Sequence, residues 1–254
     1  MNDPLLGIEP WLLTVLGLVL GGVAGSFIAT ILIRWPQGRS ALKGRSSCDG
    51  CGEALRPHEL VPILSFLLSR CRCRRCGAAI DRRHLGIELA AALIGAIALY
   101  AHPSLAGVAS ALLGWWLLLV GALDAEHHWL PDRLTLPLLV VGLIFAWLGI
   151  GPSLEQRLIG AAAGFAVLAL VALLYRVLRG RQGLGGGDPK LFAAIGAWHG
   201  WVQLPFVLVG AGLLGMAAVL LAALRGRQIK STDRLPFGAL MALAAWPIWL
   251  LLPL

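Results

Sequence analysis

"EPWLLTVLGLVLGGVAGSFIATILI", residues 9–33, is an apolar stretch in which Glu9 is the only charged residue. Apolar runs of about 20 residues are long enough to cross, as helices, a hydrocarbon core about 30 Å thick. The first ten residues hold no Lys or Arg, and the run is too long for the apolar part of a cleaved signal peptide. We therefore expect a transmembrane helix that stays in the mature protein.

The same apolar pattern recurs along the whole sequence. Of its 254 residues, 58% are hydrophobic and 13% are charged, and the mean hydropathy is +0.81. This composition is too apolar for a water-soluble domain. We predict an all-α polytopic membrane protein with about eight transmembrane helices. The predicted spans are residues 9–33, 85–101, 104–123, 134–150, 158–178, 189–200, 204–224 and 236–253.

The basic residues predict the orientation of these spans, because loops rich in Lys and Arg stay in the cytoplasm. Of the 21 basic residues, 11 lie in residues 34–84, and every other one except Arg157 falls in loops on that same side. An even number of spans then places both termini outside the cytoplasm. Topology and attraction to anionic lipid headgroups explain the net charge of +8, so we expect the bilayer as a partner and no nucleic acid.

All five cysteines lie in the one long polar stretch, residues 34–84. Two Cys-x-x-Cys pairs are separated by 21 residues, and two such thiolate pairs can close a tetrahedral Zn²⁺ site that folds a segment too small for its own core. The ligands would be Cys48 and Cys51 in CDGC and Cys73 and Cys76 in CRRC. The predicted domains are a first transmembrane helix (1–33), a small cytoplasmic zinc-binding domain (34–84) and a transmembrane core (85–254).

Two other interpretations of the cysteines remain open. They could form two disulfides, although the predicted cytoplasmic location is reducing and makes disulfides rare. They could also form a redox pair. Cys71 and His58 could each replace a ligand, and we interpret both as non-ligands.

Two carboxylates stand at the predicted cytoplasmic ends of spans. Asp124 ends the third span in GALDAEHHWLPD, and Asp188 opens the sixth in GLGGGDPKL, residues 183–191. A charged carboxylate within a membrane helix costs about 2.5–3.5 kcal/mol on insertion scales, which indicates a function. Asp188 followed by Pro189 also fits a helix cap. The glycines before it let the backbone take positive φ and admit another chain close to the carboxylate.

Two neighbouring carboxylates suit acid–base catalysis. At about 4 Å separation they repel by about 4 kcal/mol at an effective dielectric near 20, so that one of them holds a proton. An aspartic protease uses this arrangement: the charged member takes a proton from water and the protonated member polarises the scissile carbonyl. The helix dipole favours Asp188 at a helix start as the anion and Asp124 at a helix end as the acid.

The residues after Asp124 allow a second interpretation, a metal-dependent hydrolase using Glu126, His127 and His128. Adjacent histidines on a helix point about 100° apart, unlike the i, i+4 pair of metalloproteases, so this pattern is unfavourable. Asp132, after Pro131, is predicted to cap the fourth span. A proton-coupled transporter or channel is a further alternative, although both acids are predicted at one face and not at the midplane.

These motifs together resemble the bacterial type IV prepilin peptidases, which are polytopic membrane aspartic proteases. The similarity covers almost the whole sequence and occurs in the family's order. DAEHHWLPD is similar to the first catalytic motif, with Asp124 in the nucleophile-activating role. The stretches that resemble the family are GSFIATILIRWP (25–36), the cysteine segment (45–89), DAEHHWLPD, GLGGGDPKLFAAIGAWHGW (183–201, with Asp188 and Lys190) and LPFGALMALAAW (235–246).

The resemblance implies a reaction and its components. Members cleave the basic leader of prepilins and type II secretion pseudopilins after a glycine, at the cytoplasmic face of the bacterial inner membrane. Many also N-methylate the new amino terminus with S-adenosylmethionine. The four paired cysteines correspond to the family's zinc ligands. We take Gly185, Gly186, Gly187 and Lys190 as candidates for the substrate groove.

Three residues depart from the family pattern. Ala29 stands where many members have Asn, Ile33 where they often have Tyr, and Pro189 where a larger residue is usual. The first two lie nearer the methylation chemistry than the aspartates, so a peptidase without methyltransferase activity is the alternative.

Small-residue stripes occur on two spans. Gly17, Gly21 and Gly25 lie on one face of the first span, and Gly160 and Gly164 share a face of the fifth. Such stripes are typical of close helix packing in membranes. A substrate groove is the less favoured interpretation.

Overall fold

The computed structural model describes residues 7–41, 47–48, 50–63, 65, 69, 72–181, 183–226 and 235–251. These residues form α-helices and no β-strand beyond two isolated bridges, which confirms the predicted all-α class. The helices are α1 (Pro10–Arg34), α2 (Arg82–Ala101), α3 (Leu105–His127), α4 (Asp132–Trp147), α5 (Leu154–Arg179), α6 (Asp188–Leu224) and α7 (Phe237–Leu251).

Five of the described helices, α1, α2, α3, α5 and α6, are long and apolar enough to cross a membrane. They make the chain an integral membrane protein, but they do not confirm the predicted count of eight spans. The sixth and seventh predicted spans both lie within α6, which is interrupted at Gly200 (φ 70°, ψ 176°). Glycine tolerates this positive φ, so the chain changes conformation there without a loop.

The chain forms two compact units, Met1–Trp115 and Trp116–Leu254. The first contains α1, α2 and the cysteine-bearing segment between them, and α3 begins in it and ends in the second. The second contains α4 to α7.

In the first unit, the glycine stripe of α1 is a helix-packing seam against α2. A Cβ built on Gly17 would overlap the carbonyl oxygen of Gly95, and one built on Gly25 would lie 2.6 Å from the Cα of Glu88. The indole of Trp115 adds a hydrogen bond, donating to the carbonyl oxygen of Ala91 (2.8 Å). The stripe is therefore filled by the neighbouring backbone, as the packing interpretation predicts.

In the second unit, the first half of α6 is the centre of the packing. Its residues from Leu191 to Gly200 are all buried. A Cβ on Gly160 of α5 would lie 2.6 Å from the carbonyl oxygen of Gly196, and a Cβ on Gly142 of α4 would lie 2.7 Å from that of Ala197. Backbones in such close contact hold the start of α6 in a fixed position.

One charged side chain is fully buried in this unit. Arg157 of α5 is 0% exposed, and its guanidinium donates to the carbonyl oxygens of Gly142 (2.6 Å), Ile150 and Pro152 (3.0 Å). It also lies 5.6 Å from the centre of the Trp249 ring. Backbone carbonyl groups near the end of α4 thus satisfy a charge that would be very costly to bury alone.

The packing at Gly160 generates a prediction. Gly160→Ala should lower the free energy of unfolding by about 1–3 kcal/mol, because its Cβ meets the backbone of Gly196 and one of the two helices must shift. The midpoint of thermal unfolding in detergent measures this change.

Gly212 of α6 is the matched control, because a Cβ there meets nothing within 4 Å. Gly212→Ala should unfold at or slightly above the wild-type midpoint, since Ala favours a helix over Gly by about 0.5–1 kcal/mol. Equal midpoints for Gly160→Ala and Gly212→Ala would contradict the packing seam.

Candidate active site and metal centre

Asp124 lies in the last turn of α3 and is 5% exposed. Its Oδ2 accepts a hydrogen bond from the backbone N–H of Ala239 (2.9 Å). Ala239 is the third residue of α7, where backbone N–H groups have no partner within the helix. The Asp124 carboxylate thus supplies the acceptor that the start of α7 lacks.

Glycine before Ala239 makes this contact possible. A Cβ on Gly238 would lie 2.9 Å from Oδ2 of Asp124 and 2.8 Å from Cδ1 of Leu130. From the sequence, this stretch is predicted only as the beginning of the last span, and its contact with Asp124 is not apparent. The sequence feature that could have indicated this contact is a glycine in the first turn of an otherwise apolar helix.

Asp188 is the first residue of α6 and is 6% exposed. Its Oδ2 accepts from the N–H of Gly185 (2.8 Å), and its own N–H donates to the carbonyl oxygen of Gly185 (3.2 Å). The N-cap position belongs to Gly187, and no side chain caps the helix there. The capping interpretation of Asp188 is therefore wrong, since its carboxylate closes a turn in the preceding loop.

The structure brings the two aspartates into one site. The side chain of Leu130 contacts both sides of it, because a Cβ on Gly187 would lie 3.3 Å from Leu130 Cδ1 and a Cβ on Gly238 would lie 2.8 Å from the same atom. The residue before Asp188 and the start of α7 therefore share a neighbour. Asp124 and Asp188 therefore lie on either side of Leu130.

The glycines before Asp188 do not use the positive φ that glycine permits. Gly183, Gly185, Gly186 and Gly187 are all absent from the positive-φ residues of the described chain. Close approach explains two of them: Cβ atoms on Gly183 and Gly187 would each lie 2.5 Å from the side chains of Tyr175 and Leu130, respectively. Gly186 is exposed and has nothing within 4 Å, so it leaves open space beside the site.

Lys190 and Asp132 form an ion pair beside the aspartates. Nζ of Lys190 donates to both carboxylate oxygens of Asp132 (2.7 and 2.8 Å). The pair joins the first turn of α6 to the first residue of α4. The predicted capping role of Asp132 is wrong, because Pro131 occupies the N-cap position and no side chain caps the helix.

The residues that suggested a metal-dependent hydrolase do not come together. His128 directly follows α3: its φ is +48°, and its N–H donates to the carbonyl oxygen of Asp124 (2.9 Å). His127 lies 3.6 Å from Glu126. Within the described parts of the chain, these side chains form no metal-ligating group of three.

The four paired cysteines do come together. All their Sγ atoms lie within 4.8 Å of one another, with 3.8 Å between Cys48 and Cys76 and 4.0 Å between Cys51 and Cys73. All four are free thiols, so the disulfide interpretation is not supported. Tetrahedral zinc with Zn–S bonds of about 2.3 Å separates its sulfurs by about 3.8 Å. The cluster can therefore hold a metal ion.

Each cysteine pair is shaped by a glycine that follows it. Gly52 and Gly77 have φ of +71° and +70°. Their N–H groups donate to the carbonyl oxygens of Cys48 (2.8 Å) and Cys73 (2.9 Å), so each pair sits on a tight turn. The sequence signal for these turns is the pattern Cys-x-x-Cys-Gly, which occurs twice.

Backbone groups also favour the metal-binding form of one thiol. The N–H groups of Cys76 and Arg75 lower the pKa of the Cys73 thiol to about 6. Cys73 is thus largely a thiolate at neutral pH, which is the form that binds metals. Cys71 and the side chain of His58, which we predicted to be non-ligands, lie outside the described residues.

Comparisons with known proteins agree along the sequence. The model of the type IV leader peptidase family matches residues 111–220, and the model of the bacterial peptidase A24 N-terminal domain matches residues 19–102. No solved structure matches significantly.

Curated relatives carry the name prepilin leader peptidase/N-methyltransferase. The protein of Burkholderia pseudomallei is 45% identical over 200 residues, which are 78% of this chain and 64% of the relative. The match thus spans less than two thirds of that relative. The protein of Aeromonas hydrophila is 40% identical over 203 residues, covering 80% and 70% of the two chains. The protein of Pseudomonas aeruginosa is 35% identical over 265 residues, covering 95% and 91%.

With two buried aspartates in one site, a four-cysteine cluster and a relative matched over nearly its full length, the chain belongs to the type IV leader peptidase family.

Proposed function

We propose that this protein is a membrane aspartic endopeptidase. It removes the basic leader of type IV prepilins and type II secretion pseudopilins after a glycine, at the cytoplasmic face of the bacterial inner membrane, and N-methylates the new amino terminus. The observation that carries the proposal is that two buried carboxylates, Asp124 and Asp188, lie on either side of the same side chain, Leu130. Family membership and the names of the relatives support the substrate class.

The environment of the two carboxylates suits general acid–base hydrolysis. Both are removed from bulk solvent, and like charges in such a site favour a state in which one proton is shared. The ionised carboxylate then takes a proton from water, and the protonated one polarises the scissile carbonyl. Hydrogen bonds from the N–H groups of Ala239 and Gly185 hold the two carboxylates in place for these proton transfers.

The helix dipole does not distinguish the two aspartates in the way the sequence suggested. Asp124 ends α3, but it also lies at the start of α7, and Asp188 lies at the start of α6. Each carboxylate is therefore near the positive end of a helix, which stabilises an anion in both places. The proton belongs to the pair, and neither residue has a fixed role as the acid.

Open space around Gly186 supports access for a peptide. A substrate in extended conformation needs a surface where backbone can approach backbone, and no side chain stands in the way there. Lys190 is engaged by Asp132, so its role in our proposal is to hold the beginnings of α4 and α6 together beside the groove.

The cysteine cluster in our proposal is a structural zinc site. Its four thiols satisfy the four positions of a tetrahedral ion and leave none open for a reacting water, as expected for a structural centre. S-adenosylmethionine is the proposed methyl donor, and it supplies the methyl group as part of a sulfonium ion. A peptidase without methylation is the alternative.

The aspartate pair generates a prediction for cleavage. Asp124→Asn and Asp188→Asn should each lower the rate of prepilin cleavage in detergent by about 10²-fold to 10⁴-fold. An amide side chain can neither take a proton from water nor share one with the remaining carboxylate. Gel separation of precursor and mature pilin measures the rate. Glu155→Gln, at an exposed position of α5, is the control and should cleave at the wild-type rate. Retained cleavage in either Asn variant excludes the pair as the catalytic group.

Methylation is tested on the product. Mass spectrometry of pilin matured by the purified enzyme with S-adenosylmethionine should show cleavage after glycine and the added mass of one methyl group on the new amino terminus. Cleaved but unmethylated pilin would support the alternative of a peptidase alone.

Zinc is tested by its content in the purified protein. Purified wild-type protein should contain zinc at a constant molar ratio to protein. Cys76→Ser should lose most of this zinc, because one of the four thiolate ligands is removed. Elemental analysis measures the ratio. Cys71→Ser is the matched control and should keep its zinc; a loss in this variant would refute the prediction that Cys71 is a non-ligand.

A further inference from the structure

One apolar side chain lies between the two buried acids. Leu130 belongs to the short segment that joins α3 to α4, and it is half-buried, so part of its surface remains exposed. A Cβ on Gly187, the residue before Asp188, would lie 2.5 Å from the Cβ of Leu130. A Cβ on Gly238 would lie 2.8 Å from its Cδ1 and 2.9 Å from Oδ2 of Asp124. Leu130 therefore borders the space beside both carboxylates.

The chain holds Leu130 in this position. Pro131 follows it, and a residue before proline is restricted to extended backbone conformations. The carbonyl oxygen of Pro131 accepts a hydrogen bond from the N–H of Leu134 in the first turn of α4 (2.9 Å). The next residue, Asp132, is paired with Lys190 of α6. The segment is thus tied to both helices, and the side chain of Leu130 forms a fixed wall of the site.

Hydrolysis brings one residue of the substrate close to this wall. Proton transfer requires the carboxylate oxygens to lie within about 2.6–3.2 Å of the attacking water and of the scissile carbonyl oxygen. The Cα of the residue before the scissile bond is only about 1.5 Å from the carbonyl carbon. A side chain on that Cα would therefore begin beside the carboxylates, in the region that Leu130 borders. Glycine brings no side chain into this region.

The loop before Asp188 offers a contrasting surface. Gly186 is exposed, and a Cβ there would meet nothing within 4 Å. A peptide backbone can approach the site along this open surface. The restriction therefore lies next to the acids and acts on the substrate residue that is bonded to the scissile carbonyl group.

We propose that Leu130 is a specificity-determining residue: it occupies the space that a side chain before the scissile bond would need, and it thereby limits that position to glycine. The inference rests on the proposed function, in which cleavage follows a glycine, and it names the residue that imposes this requirement. Leu130 acts by excluding other substrates and takes no part in proton transfer. One methylene group changes the selectivity of a site by about 10-fold to 200-fold, so the rejection of a methyl side chain should be of that order.

The test compares two precursors. Full-length enzyme in detergent receives prepilins with Gly or Ala before the scissile bond, and gel separation of precursor and mature pilin gives the initial rates. The wild type should prefer the Gly precursor by about 10²-fold. Leu130→Ala should lower this preference by about tenfold, because the shortened side chain leaves room for a methyl group. The ratio of the two rates does not depend on how much of a preparation is folded.

Three further variants control for packing. Leu130→Met keeps the volume of the side chain and should keep the wild-type preference. Leu130→Val removes less of the side chain than Leu130→Ala and should give an intermediate preference. Leu136→Ala makes the same truncation on α4 at a side chain that is 51% exposed, and it should select as the wild type does. The thermal unfolding midpoint of each variant shows whether it is folded.

Several results would overturn the proposal. One is an unchanged preference for Gly in folded Leu130→Ala and Leu130→Val. Another is loss of cleavage of both precursors in these folded variants, which would assign Leu130 to the support of the acids. A fall of the same size in Leu136→Ala would show that the effect does not arise beside the acids. A wild type that cleaves both precursors equally would remove the restriction and leave the peptidase function intact, whereas a wild type that cleaves neither would refute the proposed function itself.

Discussion

A carboxylate buried among apolar helices must find a hydrogen-bond donor, and the rest of the site depends on how this chain supplies one. Asp124 uses the N–H of Ala239 at the start of α7, and Asp188 uses that of Gly185 in the preceding loop. The donors are backbone groups and carry no charge of their own. Among the described residues, the hydrogen bonds to the two acids thus come from neutral groups, which is the environment that our proposal of a shared proton requires.

The site also requires glycine, because the backbone donors must approach the carboxylates closely and the helices must approach one another closely. Gly238 admits the Asp124 carboxylate to the start of α7, and the contact of Gly160 with Gly196 holds α5 against the buried half of α6. The same device appears in the first unit, where Gly25 packs on Glu88. Small residues thus set the distances at which the polar groups work, since helices in a membrane associate through close backbone packing.

The two units carry different chemistry. The first holds a four-cysteine cluster that can bind a metal ion and a cavity whose wall has charges of both signs, whereas the second holds the two buried acids. Cys48 and Cys73 belong both to the cluster and to the cavity wall, so a bound ion would stiffen the segment that encloses the cavity. A metal ion held by these cysteines would give a short polar segment the rigidity that it cannot obtain from a core of its own.

The sequence by itself determined the helical class, the two acids and the four thiols, because hydropathy and ligand spacing are local properties. It did not settle the number of spans, since the predicted sixth and seventh spans meet within α6 at the non-helical residue Gly200 and the count of eight is not confirmed. Nor did it reveal Ala239 as the partner of Asp124, Lys190 as the partner of Asp132, or the ordinary backbone of the glycines before Asp188. Those features join residues far apart along the chain, or depend on what packs beside them, and only the tertiary structure decides such contacts.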